Sequence, residues 1–188
     1  MAVFWRVITW SPDAPSGVNG HPLFIWPWQG QSRIDDPQGE YQVLYVGDCP
    51  EVAVAEALGR FQTWSSVVLD PAPAAPAGSV RALVAYEGEP VLCDLDDPHQ
   101  LGVLGLRPSR VVTRKRAVTQ AGARAVYDTR AIANPKVDGI SWWSSYDPDW
   151  ASIGLWRPEA LTVVDVEPLT VDLPATVRAA EVLLRLIE

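Results

Sequence analysis

Apolar and polar positions alternate over residues 3–10 in a stretch rich in β-branched and aromatic side chains, which predicts an opening strand ended by Ser11-Pro12. Residues 41–47 are nearly all apolar, the pattern of a buried strand. The period then lengthens. Val54, Ala57, Leu58 and Phe61 recur at i, i+3, i+4 and i+7, so a helix is predicted to about Gln62, with Asp48 as candidate cap and Glu51 in capping-box spacing. Residues 79–86 and 91–95 predict two strands around a Glu-Gly-Glu-Pro turn. Residues 99–104 predict a short helix and residues 116–128 a longer one. Three further strands (137–143, 151–156 and 161–167) precede a closing amphipathic helix over 174–187. Two stretches break the pattern: the stiff Pro/Ala run 70–78, and residues 13–40, too long for a structureless connection and so expected to be functional or folded on themselves. Strands separated by single helices, without regular alternation, favour an α+β fold over a doubly wound sheet.

Length and charge narrow this picture. The 188 residues suit one domain, taken as 1–188, and 15 Lys plus Arg against 23 Asp plus Glu leave a net charge of −8. That balance argues against a surface built for nucleic acid or anionic lipid, so any anionic ligand needs a local cationic pocket. No run approaches the roughly 18 apolar residues of a membrane span. Arg6 interrupts the apolar N-terminus and no small-residue cleavage site follows, so the expectation is a cytoplasmic chain. Cys49 and Cys93 are expected to be reduced, packed thiols. Seventeen Pro and nine Trp point to braced loops and to either a Trp-rich core or an aromatic-lined groove.

Several chemistries are disfavoured. His21 and His99 lie far apart, each beside a Pro, so a hydrolytic triad would need a tertiary coincidence. Two Cys and two His scattered over the chain do not supply zinc spacing, and no glycine-rich phosphate loop is present. What remains is a set of Arg, Glu, Ser and aromatic residues. Arg33 sits in the polar loop Gly30-Gln31-Ser32-Arg33-Ile34-Asp35-Asp36-Pro37; its plainest role is a solvated charge or a partner for Asp35. Glu56 lies roughly opposite the apolar stripe of its helix, yet its neighbours there are Val52, Ala53, Ala55 and Gly59, which is not a solvated face; the alternative is an i, i+4 pair with Arg60. Ser144 and Ser145 follow a predicted strand, where serines commonly cap turns. Residues 107–130 hold seven cations against one anion, Asp128, a local charge of +6 that reads as a solvated face or as a docking surface for an acidic partner or anionic ligand.

At Arg33, Glu56 and Ser144 the chain resembles the RES domain family, whose members include toxins of Xre-RES toxin–antitoxin systems. The resemblance is carried by Phe4-Trp5-Arg6-Val7, by Ser32-Arg33-Ile34-Asp35-Asp36-Pro37, by Val43-Leu44-Tyr45-Val46 with Ala55-Glu56-Ala57-Leu58-Gly59-Arg60-Phe61, and by Asp138-Gly139-Ile140-Ser141-Trp142-Trp143-Ser144-Ser145, in that order over roughly residues 4–167. Three positions depart from the family's usual pattern: Ile34 stands where an aromatic follows the loop arginine, Ser145 where an arginine often follows the motif serine, and Arg60 where several members carry a histidine.

The resemblance implies an ADP-ribosyltransferase-like mixed or antiparallel β core flanked by helices. It also implies an enzyme that consumes NAD as substrate, by phosphorolysis or hydrolysis of the nicotinamide–ribose bond or by transfer of ADP-ribose to a protein; from the scattered Cys and His residues no metal is expected. It assigns Glu56, Arg33 and Ser144 to catalysis, and Arg33, Tyr45, Ser144, Ser145 and Trp143 to NAD binding, with Trp142 and Tyr146 as further aromatic candidates. Glu56 would stabilise an oxocarbenium-like transition state, Arg33 would fork onto a phosphate, Tyr45 would stack on nicotinamide, and Ser144 would bond the carboxamide or ribose. Expected partners are NAD, inorganic phosphate and a separate Xre-type helix-turn-helix antitoxin, with neither nucleic acid nor membrane contacted directly. A non-catalytic Trp-lined binding module is the reading from another class.

Overall fold

The computed structural model describes residues 1–71, 75–111, 113–130 and 136–188; residues 72–74 of the expected Pro/Ala run lie outside the described residues. In chain order the elements are β1 (Ala2–Trp10), β2 (Leu44–Gly47), α1 (Pro50–Leu58), β3 (Thr63–Trp64), α2 (Ser66–Leu69), β4 (Val80–Gly88), β5 (Leu92–Asp94), α3 (Pro98–Val103), α4 (Pro108–Val111), α5 (Arg116–Thr129), β6 (Gly139–Trp143), β7 (Ala151–Leu155), β8 (Leu161–Pro168), α6 (Pro174–Leu183) and β9 (Leu186–Ile187). Seven strands form a mixed sheet in the order β5-β6-β7-β2-β1-β4-β8, flanked by helices, which is an α+β fold. The β5–β6 pair is parallel and the other neighbours are antiparallel.

Two helices end earlier than their periodicity predicts. The first caps on Cys49 rather than Asp48, without a side-chain cap bond, and stops at Leu58 instead of near Gln62. The chain turns there because Trp64 is drawn into the core, its indole N–H donating to the carbonyls of Leu58 and Phe61 at 3.2 Å each. The last helix stops at Leu183, where Leu184 takes a left-handed φ of 52°. The freed residues Leu186–Ile187 then pair in parallel with Thr63–Trp64, in a two-stranded ribbon that short-range periodicity does not announce.

Register assigns the sheet faces. Trp5 opposes Gly47, Gly47 opposes Ser152, Ser152 opposes Trp142, and Tyr45 opposes Gly154, so these side chains share one face. On that face lie two apolar clusters. One gathers Ile34, Val43, Leu101, Ala123, Val126 and Ile140 beneath α3 and α5. The other gathers Val54, Leu58, Trp64, Leu83 and Ala179 beneath α1 and α6. On the opposite face Phe4, Leu44, Val84, Tyr86, Ile153 and Leu155 form a third cluster, onto which Leu23 and Ile25 of the long 13–40 connection fold. That connection is held by the Tyr86 hydroxyl, which donates to the Pro22 carbonyl at 2.7 Å, and by Arg6 Nη1, which donates to the Phe24 carbonyl at 3.0 Å.

The sheet is thinly joined at its middle. β1 matches β4 along nine residues, whereas β1 and β2 meet at the single pair Trp5–Gly47. Beyond that pair the ladder between β1 and β2 stops, and a cleft opens there on the face that carries the two clusters.

Gly154 is one place where packing requires glycine. A Cβ there would lie 2.2 Å from Ile34 Cδ1 and 2.9 Å from Val43 Cγ1. Ile34, the departure from the family's aromatic, is thus a buried anchor seated on this glycine. Gly154→Ala is expected to lower stability by about 1–3 kcal/mol in urea unfolding, through overpacking. Ile34→Val in the same chain should recover part of that loss, and strictly additive losses would refute the collision as its cause.

Candidate active site

The gap between β1 and β2 forms a cleft of about 440 Å³. Its walls include Trp5, Arg6, Arg33, Tyr45, Glu56 and Trp142, with Ser32, Ser145 and Ser152 also facing it. Arg33, Tyr45, Glu56 and Ser145, chosen from sequence, are thereby brought together.

The loop that carries Arg33 is clamped from several sides. The Asp35 carboxylate is buried and accepts from the backbone N–H groups of Gly30 and Ser32, at 2.8 and 2.7 Å, and from the Tyr45 hydroxyl at 2.6 Å. Charge-assisted bonds of this kind contribute roughly 1.5–3 kcal/mol each. Asp36 closes the next turn by accepting from the N–H groups of Gln38 and Glu40. From α5, the Gln120 side chain donates to the carbonyls of Gly30 and Ser32, and the Thr119 hydroxyl donates to that of Arg33. Gln29 exchanges two hydrogen bonds with the backbone of Val43. Asp35 is therefore not the partner of Arg33. The Arg33 guanidinium donates to the Val111 carbonyl, and burial lowers its pKa while the charge of Glu56 opposes that shift.

Glu56 projects from α1 into the cleft. Its Oε1 accepts from the Ser152 hydroxyl at 3.1 Å and, more weakly, from the Ser144 hydroxyl at 3.4 Å. Water reaches the carboxylate through the cleft mouth, but protein crowds it on the remaining sides. Desolvation accordingly raises its pKa above the ordinary carboxylate value, against the lowering effect of Ser152, Ser144 and Arg33. Because solvent still enters, the push is modest in the open cleft and grows when a ligand excludes water. No ion pair joins Glu56 to Arg60 among the described residues; Arg60 instead lies over the Phe61 ring at 4.6 Å.

The remaining candidates divide. Ser144 is 3% exposed and lies behind Glu56 rather than in the lining; it also accepts from the Tyr146 N–H at 3.2 Å, the turn-capping role serines favour. Trp142 lines the cleft and meets Tyr45 edge-to-face at 6.5 Å. Trp143, next along β6, is outside the lining, and its backbone N–H donates to the Asp96 carboxylate. Tyr146 packs its ring against Gly59 at the end of α1. Three residues of the cleft escaped the sequence reading. Trp5 and Arg6 stand in the first strand, where they were part of the motif Phe4-Trp5-Arg6-Val7 but were given no role in the site, and Ser152 sits inside a strand whose register alone turns it toward Glu56. Both cysteines are free, and burial pushes Cys49 up to about 12 and Cys93 up to about 11, so neither is an activated thiol. Among the described residues no three Cys, His, Asp or Glu side chains converge as a metal site requires, and no helix is long and apolar enough to cross a membrane.

The site is concave and aromatic-walled, with Glu56 as the one carboxylate among its lining residues and Arg6 and Arg33 beside it, in a protein of the α+β class. The RES domain family profile matches residues 4–175, and the chain belongs to the RES domain family. No curated protein and no solved structure matches it. At family level, membership supports a toxin-like, NAD-related enzyme.

The serine bonds to Glu56 have a measurable sign. They stabilise the ionised carboxylate, so Ser152→Ala should move the Glu56 titration to higher pH in carboxyl-carbon NMR. A downward or absent shift would mean that Ser152 does not hold the charge.

Proposed function

We propose that the chain consumes NAD by breaking the nicotinamide–ribose bond, with inorganic phosphate or water as acceptor. The observation that carries this reading is Glu56, held by Ser152 and Ser144 beside an aromatic wall with Arg33 in electrostatic reach. Heterolysis sends the electron pair of the C1′–N bond to the pyridinium nitrogen, so nicotinamide departs neutral and needs no general acid. Neither histidine lines the cleft, which suits that chemistry. As the bond lengthens, positive charge grows on the ribose, and the nearby Glu56 carboxylate stabilises it, the more strongly as the bound ligand displaces water from the cleft. An oxygen of phosphate or water then bonds to C1′; with water, a proton is released.

Arg33 is assigned to a phosphate of the dinucleotide, where its planar fork gives paired contacts. Tyr45 and Trp142 are assigned to the nicotinamide ring, a cation that aromatic faces attract. Ser145 stands in the lining and Ser144 behind Glu56, so Ser145 is assigned to the ligand and Ser144 to holding the carboxylate. A non-catalytic tryptophan groove is less well supported, because the tryptophans are dispersed. Trp64 is wholly buried, Trp150 and Trp156 pack into separate clusters, and Trp28 is 91% exposed.

The test is NAD loss and nicotinamide release by purified protein, with and without inorganic phosphate. Glu56→Gln should lower turnover about 10²–10³-fold, in the range for removing one transition-state contact, with the fold intact. Arg33→Ala should act mainly on KM. A rate that rises with phosphate selects phosphorolysis; NAD loss only with an added protein acceptor selects ADP-ribosyl transfer. Wild-type turnover that survives Glu56→Gln would sink the assignment.

A separate helix-turn-helix antitoxin is proposed as partner. Five exposed cations, Arg107, Arg110, Arg114, Lys115 and Arg116, carry no ion pair among the described residues, whereas Arg124 is spent on Asp36, Glu40 and Asp128. The patch adjoins the cleft rim, since Arg116 donates to Gln31. Arg114→Glu with Lys115→Glu should weaken the complex with a cognate acidic partner about tenfold and flatten its salt dependence, as titration calorimetry at two ionic strengths would measure. Unchanged affinity would place the interface elsewhere.

A further inference from the structure

A second cavity, of about 320 Å³, adjoins the cleft and shares Arg6 and Val7 with it. Its chemistry differs from that of the cleft. Two guanidiniums, Arg6 and Arg81, line it together with His21, Asn19 and Thr9, and no carboxylate is among the lining residues. Register places Thr9 and Arg81 on the α1 side of the sheet and Arg6 on the other, so the cavity reaches across the edge that β1 leaves unpaired after Trp5.

Neither arginine has an acidic partner among the described residues. Arg81 Nε is buried and has no hydrogen-bond partner among the described residues, and Arg60 adds further positive potential beside it. Arg6 gives Nη1 to the carbonyls of Phe24 and, at 3.5 Å, Pro22, contacts that orient the group without neutralising it. His21 accepts the Leu23 N–H on Nδ1 at 3.2 Å, which leaves its Nε2 free to donate. An orphaned donor and two unneutralised cations in one concavity of a chain with net charge −8 are what a tetrahedral oxyanion would satisfy.

We propose that this cavity is a phosphate-binding site separate from the Arg33 position, with Arg81 supplying the fork and His21 a further donor. With free phosphate as its source the inference stands on the second cavity alone; with a dinucleotide as its source it rests on the NAD reading. The same chemistry has two sources, free inorganic phosphate and a phosphate monoester on a dinucleotide, such as the 2′-phosphate of NADP.

The experiment is titration calorimetry of the whole chain with inorganic phosphate, NAD and NADP, comparing wild type with Arg81→Met and, as a charge-preserving variant that keeps the fold if Arg81→Met does not, Arg81→Lys. Arg33→Ala serves as a control for the cleft. Saturable phosphate binding by wild type and Arg33→Ala, weakened about tenfold or more by Arg81→Met and less by Arg81→Lys, supports the site with free phosphate as its source. NADP binding tighter than NAD in wild type, equalised in Arg81→Met and reduced in Arg81→Lys, supports it with the dinucleotide as source. Absence of both effects in wild type, or their persistence in both Arg81 variants, overturns the proposal. Loss of NAD turnover in Glu56→Gln leaves these measurements untouched, so the two readings fail separately.

Discussion

The two halves of the sheet are laddered together at one residue pair, Trp5 against Gly47, while Phe4, Leu44, Val84 and Ile153 pack across the join on the opposite face, and the cleft exists because β1 and β2 pair nowhere else. A fully laddered seam would fill the gap with backbone and leave no concavity on that face. Gly47 serves the junction a second time: a Cβ there would lie 2.1 Å from Val52 Cγ1, so its absence lets α1 press against the seam. Glu56, one helix turn beyond Val52, is consequently delivered over the opening. The two apolar clusters on this face hold the halves in place from either side, one under α5 and one under α1 and α6.

The electrostatics follow from that geometry. The chain is acidic overall, yet the concave surface at the seam is lined by Arg6 and Arg33 with Glu56 as the one carboxylate, and Arg81 stands in the adjoining cavity. The acidic residues near the Arg33 loop are consumed structurally. Asp35 binds two backbone N–H groups and Tyr45, and Asp36 binds the next turn and Arg124. Turning carboxylates inward toward backbone donors keeps them from neutralising the guanidinium that the loop presents. It also ties Tyr45 by its hydroxyl, leaving the ring as a fixed wall of the cleft.

Long elements with a clear period were legible from the residues. The strands carrying Trp5, Leu83 and Ile153 and the helix carrying Thr119 and Gln120 stand close to where alternation and helical spacing put them. Short elements were not. The ribbon of Thr63–Trp64 with Leu186–Ile187 joins segments more than a hundred residues apart, and two residues of strand have no readable period. The ends of α1 and α6 moved for the same reason, because a buried tryptophan and a left-handed leucine outweighed local helical preference.

For the site, the sequence by itself determined which chemistry was affordable: few histidines, no metal spacing, no phosphate loop, and an Arg, Glu and Ser set arranged as in the RES family, to which the chain belongs. These are properties of composition and order, which survive without coordinates. Tertiary structure alone decided who faces whom. Ser152 rather than Ser144 makes the shorter bond to Glu56, Trp142 rather than Trp143 enters the cleft, and Arg33 turns from Asp35 to the Val111 carbonyl. Each of these outcomes depends on strand register, where a shift of one residue exchanges the two faces, or on a contact between residues distant in the chain, and neither is encoded in any local pattern.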